Sequence, residues 1–467
     1  MLKMSPRCLA AVLLLQMPIT FAQAASVAAA DPDPAMAGRI DAVVAPFFKA
    51  GDPGATLLVI KDGKTLLRKS YGMADVERGI PLQPAMAMRL GSITKQFTST
   101  AILMLAEEGK LSVTDPITKF LPDYPATGKK ITIEHLLTHT SGIPNYTSKL
   151  IFSLFSSREK SVAEMIDSFK SEPLEFEPGT RHAYSNSGYF ILGAIIEKVS
   201  GLPYANFVQQ RIFTPLGMTQ TAYETPNTAP GTRAVGHTAK MWGGAGPAPA
   251  ISMSQVNSAG AILSTVDDMA KWEAAISSGK LLKPASWAQA FTPYKLSDGK
   301  STNYGYGWQM AKVRGANEIS HGGDVNGFAV FALRVPEKKV YVVLLTNTDS
   351  DVDRARPSVV AKKAAAVAIG NPYPDFRPVA LDASTLAAYA GDYKLSEQVS
   401  RTVRRDHDHL EVLRSGRPTL AVYPLGGDRF SNKNIVTVYR FDRNATGAIA
   451  RLVVDDDGIE QVHSRMK

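Results

Sequence analysis

Two strand hairpins, far apart in the chain and separated by mostly helical sequence, constrain the fold most. The first runs from Ala55 to Ile60 (ATLLVI), turns at Lys61-Asp62-Gly63-Lys64, and returns over 65–72 (TLLRKSYG). Asp-Gly between apolar runs is a strong hairpin signal, because both turn positions take the positive φ that these residues tolerate. The second joins Asn326–Arg334 (NGFAVFALR) to Val340–Leu345 (VYVVLL) through Pro-Glu-Lys-Lys. Between them, Ser92–Glu108 carries Ile93, Phe97, Ala101, Met104 and Leu105 on one helical stripe. Further helices are expected over about 39–50 and 353–368, with Pro/Gly-rich loop such as 241–250 (MWGGAGPAPA) in the middle. Hairpins at both ends with helices inserted between them predict an α/β (α+β) unit: an antiparallel sheet flanked by helices, with an inserted helical region.

Composition shifts near residue 371. The stretch 371–378 (NPYPDFRP) holds three prolines and reads as a linker over 371–379. Residues 380–467 then show short alternating runs (HLEVLRS, TLAVYPL, VTVYRF, AIARLVV) with turn signals such as Gly426-Gly427-Asp428. That pattern predicts a small C-terminal β-barrel or sandwich after a main domain over 38–370. No internal repeat is present.

The first 24 residues have the form of a secretory signal peptide. Lys3 and Arg7 precede the mainly apolar run Cys8–Met17, and Ala22-Gln23-Ala24 offers a small-residue cleavage site. Ten residues rise only about 15 Å as a helix, half a bilayer core, so a spanning anchor is not expected. The expected location is periplasmic or secreted. Cleavage removes the single cysteine and lowers the net charge from +9 to +7. A cysteine-free mature chain has no multi-thiolate metal site, and so small a charge on 467 residues points to no nucleic acid. Composition leaves the oligomeric state open.

The chemistry rests on spacing. No G-x-S-x-G elbow, phosphate loop or dinucleotide fingerprint occurs, but S-x-x-K occurs five times, at Ser92, Ser157, Ser277, Ser297 and Ser464. Only Ser92-Ile93-Thr94-Lys95 opens a long amphipathic helix directly after a glycine. Residues i and i+3 are neighbours on a helix, so Lys95 reaches the Ser92 hydroxyl. Free N–H groups at the helix start favour a developing oxyanion, and a lysine in a partly dry cleft loses its charge more easily. Taken alone, the motif is more often an N-cap serine beside an exposed lysine. Two other segments change that balance. Tyr184-Ser185-Asn186 lies just before an apolar helix (SGYFILGAIIEKV), and His321-Gly322-Gly323 directly precedes the strand NGFAVFALR, where glycines allow close backbone approach.

In this order the three segments resemble the S-x-x-K, Y-x-N and K-T-G elements of the serine β-lactamase and penicillin-binding-protein superfamily, in its class C β-lactamase, D-peptidase and esterase branch. Leu136–Pro144 (LLTHTSGIP) looks like a stretch common in that branch, and the resemblance covers about 38–370. It implies Ser92 as acyl-forming nucleophile, Lys95 and Tyr184 sharing base and acid work with an accessible phenolate, and Asn186 holding the substrate chain. His321, Gly322 and Gly323 would line the substrate site, and the N–H groups of Ser92 and Asp324 would form the oxyanion hole. No metal or cofactor is implied, and the partner is a small ester, amide or peptide, possibly cell-wall derived. His321 and Gly322 stand where the family has Lys and Thr. A neutral imidazole offers a substrate carboxylate little charge, which favours esterase and D-amino-acid amidase or peptidase action over β-lactamase or D,D-carboxypeptidase action. Lys312 or Arg314 is the expected source of a replacement charge. A non-catalytic penicillin-binding sensor is the other alternative. The element Tyr389-Ala-Gly-Asp-Tyr393 resembles the start of lipocalin-like appendages of such hydrolases, so the C-terminal domain is expected to shape or cover the cleft.

Other residues read as structural. His135 and His139 have metal-pair spacing but no Glu between them; Asp406–His409 suits a charged hairpin tip and Asp455–Asp457 a solvated turn. Trp242 and Trp308 are divided evenly between pocket lining and core. Asn145-Tyr-Thr147 matches a glycosylation pattern that means little if the source is bacterial.

Overall fold

The computed structural model describes residues 34–225, 232–349, 355–396, 399–414 and 419–466; the expected leader over 1–24 lies outside them. Asp62 and Gly63 take φ of 51° and 75°, and their turn joins β1 (Ala55–Lys61) to β2 (Lys64–Tyr71). Four strands follow much later: β3 (Gln309–Val313), β4 (Ala316–Val325), β5 (Phe328–Val335) and β6 (Val340–Thr346). They complete an antiparallel six-stranded sheet of order β3-β4-β5-β6-β1-β2. The two distant hairpins meet where Ala55 pairs with Thr346 and Lys61 with Val340.

Both faces of the sheet are covered, so β5 and β6 are buried at every position. Val340, Val342 and Leu344 face helices α1 (Pro34–Val44) and α4 (Pro357–Ala368). Tyr341, Val343 and Leu345 face the larger, mainly helical core. That core surrounds α2 (Thr94–Glu107) and α3 (Asn186–Ser200). Burying one such valine or leucine is worth roughly 1.5–3 kcal/mol, so both faces of the period-two pattern hold the sheet in register.

Four expectations change here. The first helix begins at Pro34 and ends at Val44 rather than spanning 39–50. Helix α2 carries no exposed face over Thr94–Leu105: its polar side chains are buried and bonded, as Thr98 Oγ1 to the Ser258 carbonyl at 2.6 Å. Ser92 sits in a 3-10 turn, Gly91–Ile93, ahead of α2 rather than in its first turn. His321-Gly322-Gly323 precedes β5 as expected but also lies inside β4, a strand that the sequence pattern missed.

The C-terminal region is a closed eight-stranded antiparallel barrel, β7 to β14: Gly391–Lys394, Ser400–Asp406, His409–Arg414, Leu420–Gly426, Arg429–Ser431, Val438–Arg443, Ile449–Asp456 and Ile459–Arg465. Tyr393, Val403, Leu410, Val412, Val422, Phe430, Phe441 and Leu452 fill its interior. Asp406–His409 forms the β8–β9 hairpin tip. Asp457 is not solvated: it is 8% exposed, accepts the Arg314 N–H at 3.2 Å and the Tyr373 hydroxyl, and lies 3.5 Å from Lys362 Nζ. Lys362 also approaches Glu318 at 3.3 Å, so this turn clasps the barrel to β4 and α4. Among the described residues no helix is long and apolar enough to cross a membrane.

Candidate active site

Gly91 brings the nucleophile turn against strand β4. Its φ is +48°, and a methyl group there would stand 3.0 Å from the Asp324 amide nitrogen. Gly323 is tighter still, since a Cβ would fall 2.0 Å from the Leu90 carbonyl oxygen. The glycine at 323 therefore serves the contact between β4 and the Ser92 turn. That contact sets the Asp324 N–H beside the Ser92 turn.

Lys95, on the first turn of α2, is fully buried. Its Nζ lies 2.9 Å from Ser92 Oγ, 2.8 Å from Asn186 Oδ1 and 2.8 Å from the Ala259 carbonyl oxygen. Burial drives its pKa well below the usual lysine value. Loss of one proton requires one of these three contacts to reverse. The Ala259 carbonyl and Asn186 Oδ1 can only accept, so the Ser92 O–H must turn toward Nζ. Deprotonating Lys95 thus creates the hydrogen bond that a general base needs.

Tyr184 lies just before α3, with its ring centroid 4.9 Å from Lys95 Nζ. Its hydroxyl is buried, with the Ser92 hydroxyl as its neighbour and no hydrogen bond of full geometry among the described residues. Burial pushes the phenol up from its ordinary value, with the Ser92 hydroxyl opposing. That direction favours the phenol over the phenolate. Asn186 opens α3, and its side chain is committed within the protein: Oδ1 holds Lys95, and Nδ2 donates to Thr147 Oγ1 at 2.9 Å. Asn145 Oδ1 accepts the Asn186 N–H at 3.0 Å. Asn145 and Thr147, set aside as a glycosylation pattern, buttress the second motif.

A cleft of about 550 Å³ contains Ser92, Tyr184, Asn186, His321, Gly322 and Asp324, with Gln309, Arg356 and Ser358 on its walls. All three sequence motifs thus meet in one place. None of the described lining residues comes from 380–467. Lys312 and Arg314 are absent from it: Lys312 donates to Asn317 Oδ1 and Arg314 to the Asn371 carbonyl. Among the described lining residues Arg356 is the cation, and no motif pointed to it. Trp308 is 3% exposed in the core and Trp242 is 93% exposed, so neither lines the cleft.

His321 is buried, and its pKa falls to about 3, through burial first and the nearby Lys95 charge second. His139 packs on Tyr184 with centroids 4.1 Å apart. It is part of the site wall, while His135 completes a helix cap with Thr132. Among the described residues no His/Cys/Asp/Glu cluster has the geometry to hold a metal.

The beta-lactamase family model matches residues 40–366. Penicillin-binding protein 4* of Bacillus subtilis is 27% identical over 432 residues, covering 88% of this chain and 95% of that protein. The D-aminopeptidase of Gluconobacter oxydans is 30% identical over 69% of this chain and 60% of its own length. The solved octameric penicillin-binding protein homologue from Pyrococcus abyssi superposes with a TM-score of 0.65 at 26% identity, covering 92% of this chain and 98% of that one.

Proposed function

This chain belongs to the beta-lactamase family of serine hydrolases, and on that footing we propose that it is an exported esterase or D-amino-acid-specific amidase or peptidase acting through an acyl-enzyme on Ser92. Neutral Lys95 takes the Ser92 proton as Oγ bonds to the substrate carbonyl carbon. The N–H groups of Ser92 and Asp324 receive the oxyanion. The Tyr184 phenol gives its proton to the departing amine or alkoxide and regains one from Lys95. Water then adds to the acyl-enzyme by the same steps in reverse and releases the acid.

The observation that carries the substrate class is His321. An uncharged imidazole stands where carboxylate-binding relatives have a lysine, which supports substrates without a carboxylate at that point. Similarity to a D-aminopeptidase supports the same reading. Similarity to a penicillin-binding protein supports a second reading, hydrolysis of β-lactams or D,D-peptides. Labelled fluorophosphonate and labelled penicillin, applied to wild type and Ser92→Ala, test the chemistry. Ser92-dependent fluorophosphonate labelling is expected, and its absence removes the proposal. Rates on D-amino-acid amides, short esters and D-alanyl-D-alanine peptides then separate the two readings.

A further inference from the structure

Two buried groups outside the three motifs, His139 and Tyr304, join His321 in a chain of hydrogen bonds whose direction is set at both ends. At one end the Ser185 backbone N–H, which can only donate, points to His139 Nδ1 at 3.1 Å. A neutral imidazole has one proton, so it sits on His139 Nε2 and is donated to the Tyr304 hydroxyl oxygen at 3.2 Å. The Tyr304 O–H is then directed at His321 Nε2, 2.8 Å away. At the far end His321 Nδ1 lies 2.6 Å from the Gly322 carbonyl oxygen, which can only accept, so Nδ1 carries the proton.

One arrangement of protons satisfies every link. With both rings neutral, reversing any bond leaves two donors or two acceptors facing each other at an adjacent one. All three side chains are at most 2% exposed, so water does not substitute. The charged and titratable groups facing the chain act in one direction. Lys95, His182 and His321 all oppose charge on His139, and Lys95 opposes it on His321. Tyr184 packs against His139 and His321, and Tyr189 against His139. His139 also takes a φ of 57°, a strained value for a side chain with a Cβ, which aims its ring into this stack.

We propose that His139 and Tyr304 are positioning and specificity-determining residues, holding His321 as a single neutral Nδ1–H tautomer with neither ring nitrogen left for substrate. This inference rests on the serine-hydrolase reading above. The cleft therefore turns away a carboxylate at His321 not merely for want of a lysine but because both ring nitrogens are already engaged within the protein. The chain also ties the Gly322 peptide to a fixed point, two residues before the Asp324 N–H on the same strand.

Nitrogen-15 NMR of the histidine-labelled full-length chain reads the tautomer directly. Wild type should show a protonated Nδ1 and a bare Nε2 on His321 from pH 5 to 8. An imidazolium signal at pH 6 overturns the proposal. In Tyr304→Phe, His321 loses its fixed tautomer. The ratio of kcat/KM for a D-amino-acid amide to that for a D-alanyl-D-alanine peptide should fall about tenfold, the worth of one hydrogen bond near charge. Unchanged tautomer and ratio overturn the proposal as well. If Tyr304→Phe does not fold, His139→Gln and His139→Phe take its place. Gln can accept from Ser185 and donate to Tyr304 and should preserve the wild-type ratio, while Phe cannot; equal behaviour of the two refutes the chain. Failure of the underlying hydrolase reading is seen separately, as absence of Ser92 labelling in wild type.

Discussion

Lys95 and Tyr184 are displaced in opposite directions by the same burial, and this sets the pH dependence of the first chemical step. A lysine lowered well below its usual value is neutral, and able to act as base, above that depressed pKa. Acylation by fluorophosphonate should therefore rise with pH along a single acid limb. Tyr184 is shifted upward and stays a phenol, so no alkaline fall should appear below about pH 10. A bell-shaped profile with an alkaline limb near 9 contradicts this assignment. For stability the sign is also definite. The unfolded chain binds the Lys95 proton more tightly than the folded one, so folding stability rises with pH from the depressed value to 10.5 and levels off above it. Lys95→Met should abolish acylation and flatten that slope in urea melts at several pH values. S-x-x-K spacing revealed the Ser92–Lys95 pair, because i and i+3 are neighbours wherever a helical turn forms. The partners of that pair, Asn186, Ala259 and Tyr184, come from elsewhere in the chain. Motif order suggested two of them, and nothing local indicated the Ala259 carbonyl.

Among the elements, the barrel shows how a sequence pattern can be right in kind and silent in detail. Alternating runs and Gly-Asp turns announced short strands, and the turn at Gly426, Gly427 and Asp428 does take positive φ at all three residues. Closure into eight strands depends on pairings such as Tyr393 with Arg465, which no local pattern encodes. Arg401, on β8, is 8% exposed and makes no ion pair among the described residues; its Nε donates to His463 Nε2 at 3.4 Å. Its cross-strand neighbour is Arg414, a like-charge pairing that opposes the sheet. Arg401→Met keeps the apolar stem and removes the buried charge, so it should stabilise the barrel by about 1 kcal/mol. Slower hydrogen exchange of the β8 and β9 amides would register the gain, and faster exchange would show that the guanidinium stabilises.

At the scale of the whole molecule, the turn at Asp457 links the barrel to the catalytic sheet. Asp457 meets Lys362, Tyr373 and the Arg314 amide, and Lys362 in turn meets Glu318, three residues before His321 on β4. Breaking a buried pair leaves Lys362 poorly compensated. Asp457→Ala should cost about 3 kcal/mol at this junction and speed proteolytic cutting within 371–379, read by limited proteolysis of the full chain. Unaltered cutting would mean that the clasp does not hold the barrel. None of the described cleft-lining residues comes from 380–467, and this clasp offers one route by which the barrel can act on substrate choice. Deleting 375–467 should accordingly shift kcat/KM across substrates while Ser92 remains labelled.

From its sequence alone this chain shows its hairpins, its linker, an α/β unit followed by β structure, and three motifs in a recognisable order. Those are properties of neighbours along the chain: turn chemistry, periodicity and helical spacing. Tertiary structure decided the rest. It placed Arg356, not Lys312 or Arg314, on the cleft wall. It buried Asp457 in place of a solvated turn, and it made His139 and Tyr304 partners of His321. It also depressed Lys95 and raised Tyr184. Each of these outcomes depends on which distant atoms exclude water from a side chain, and burial is a property of the packed molecule that local sequence does not carry.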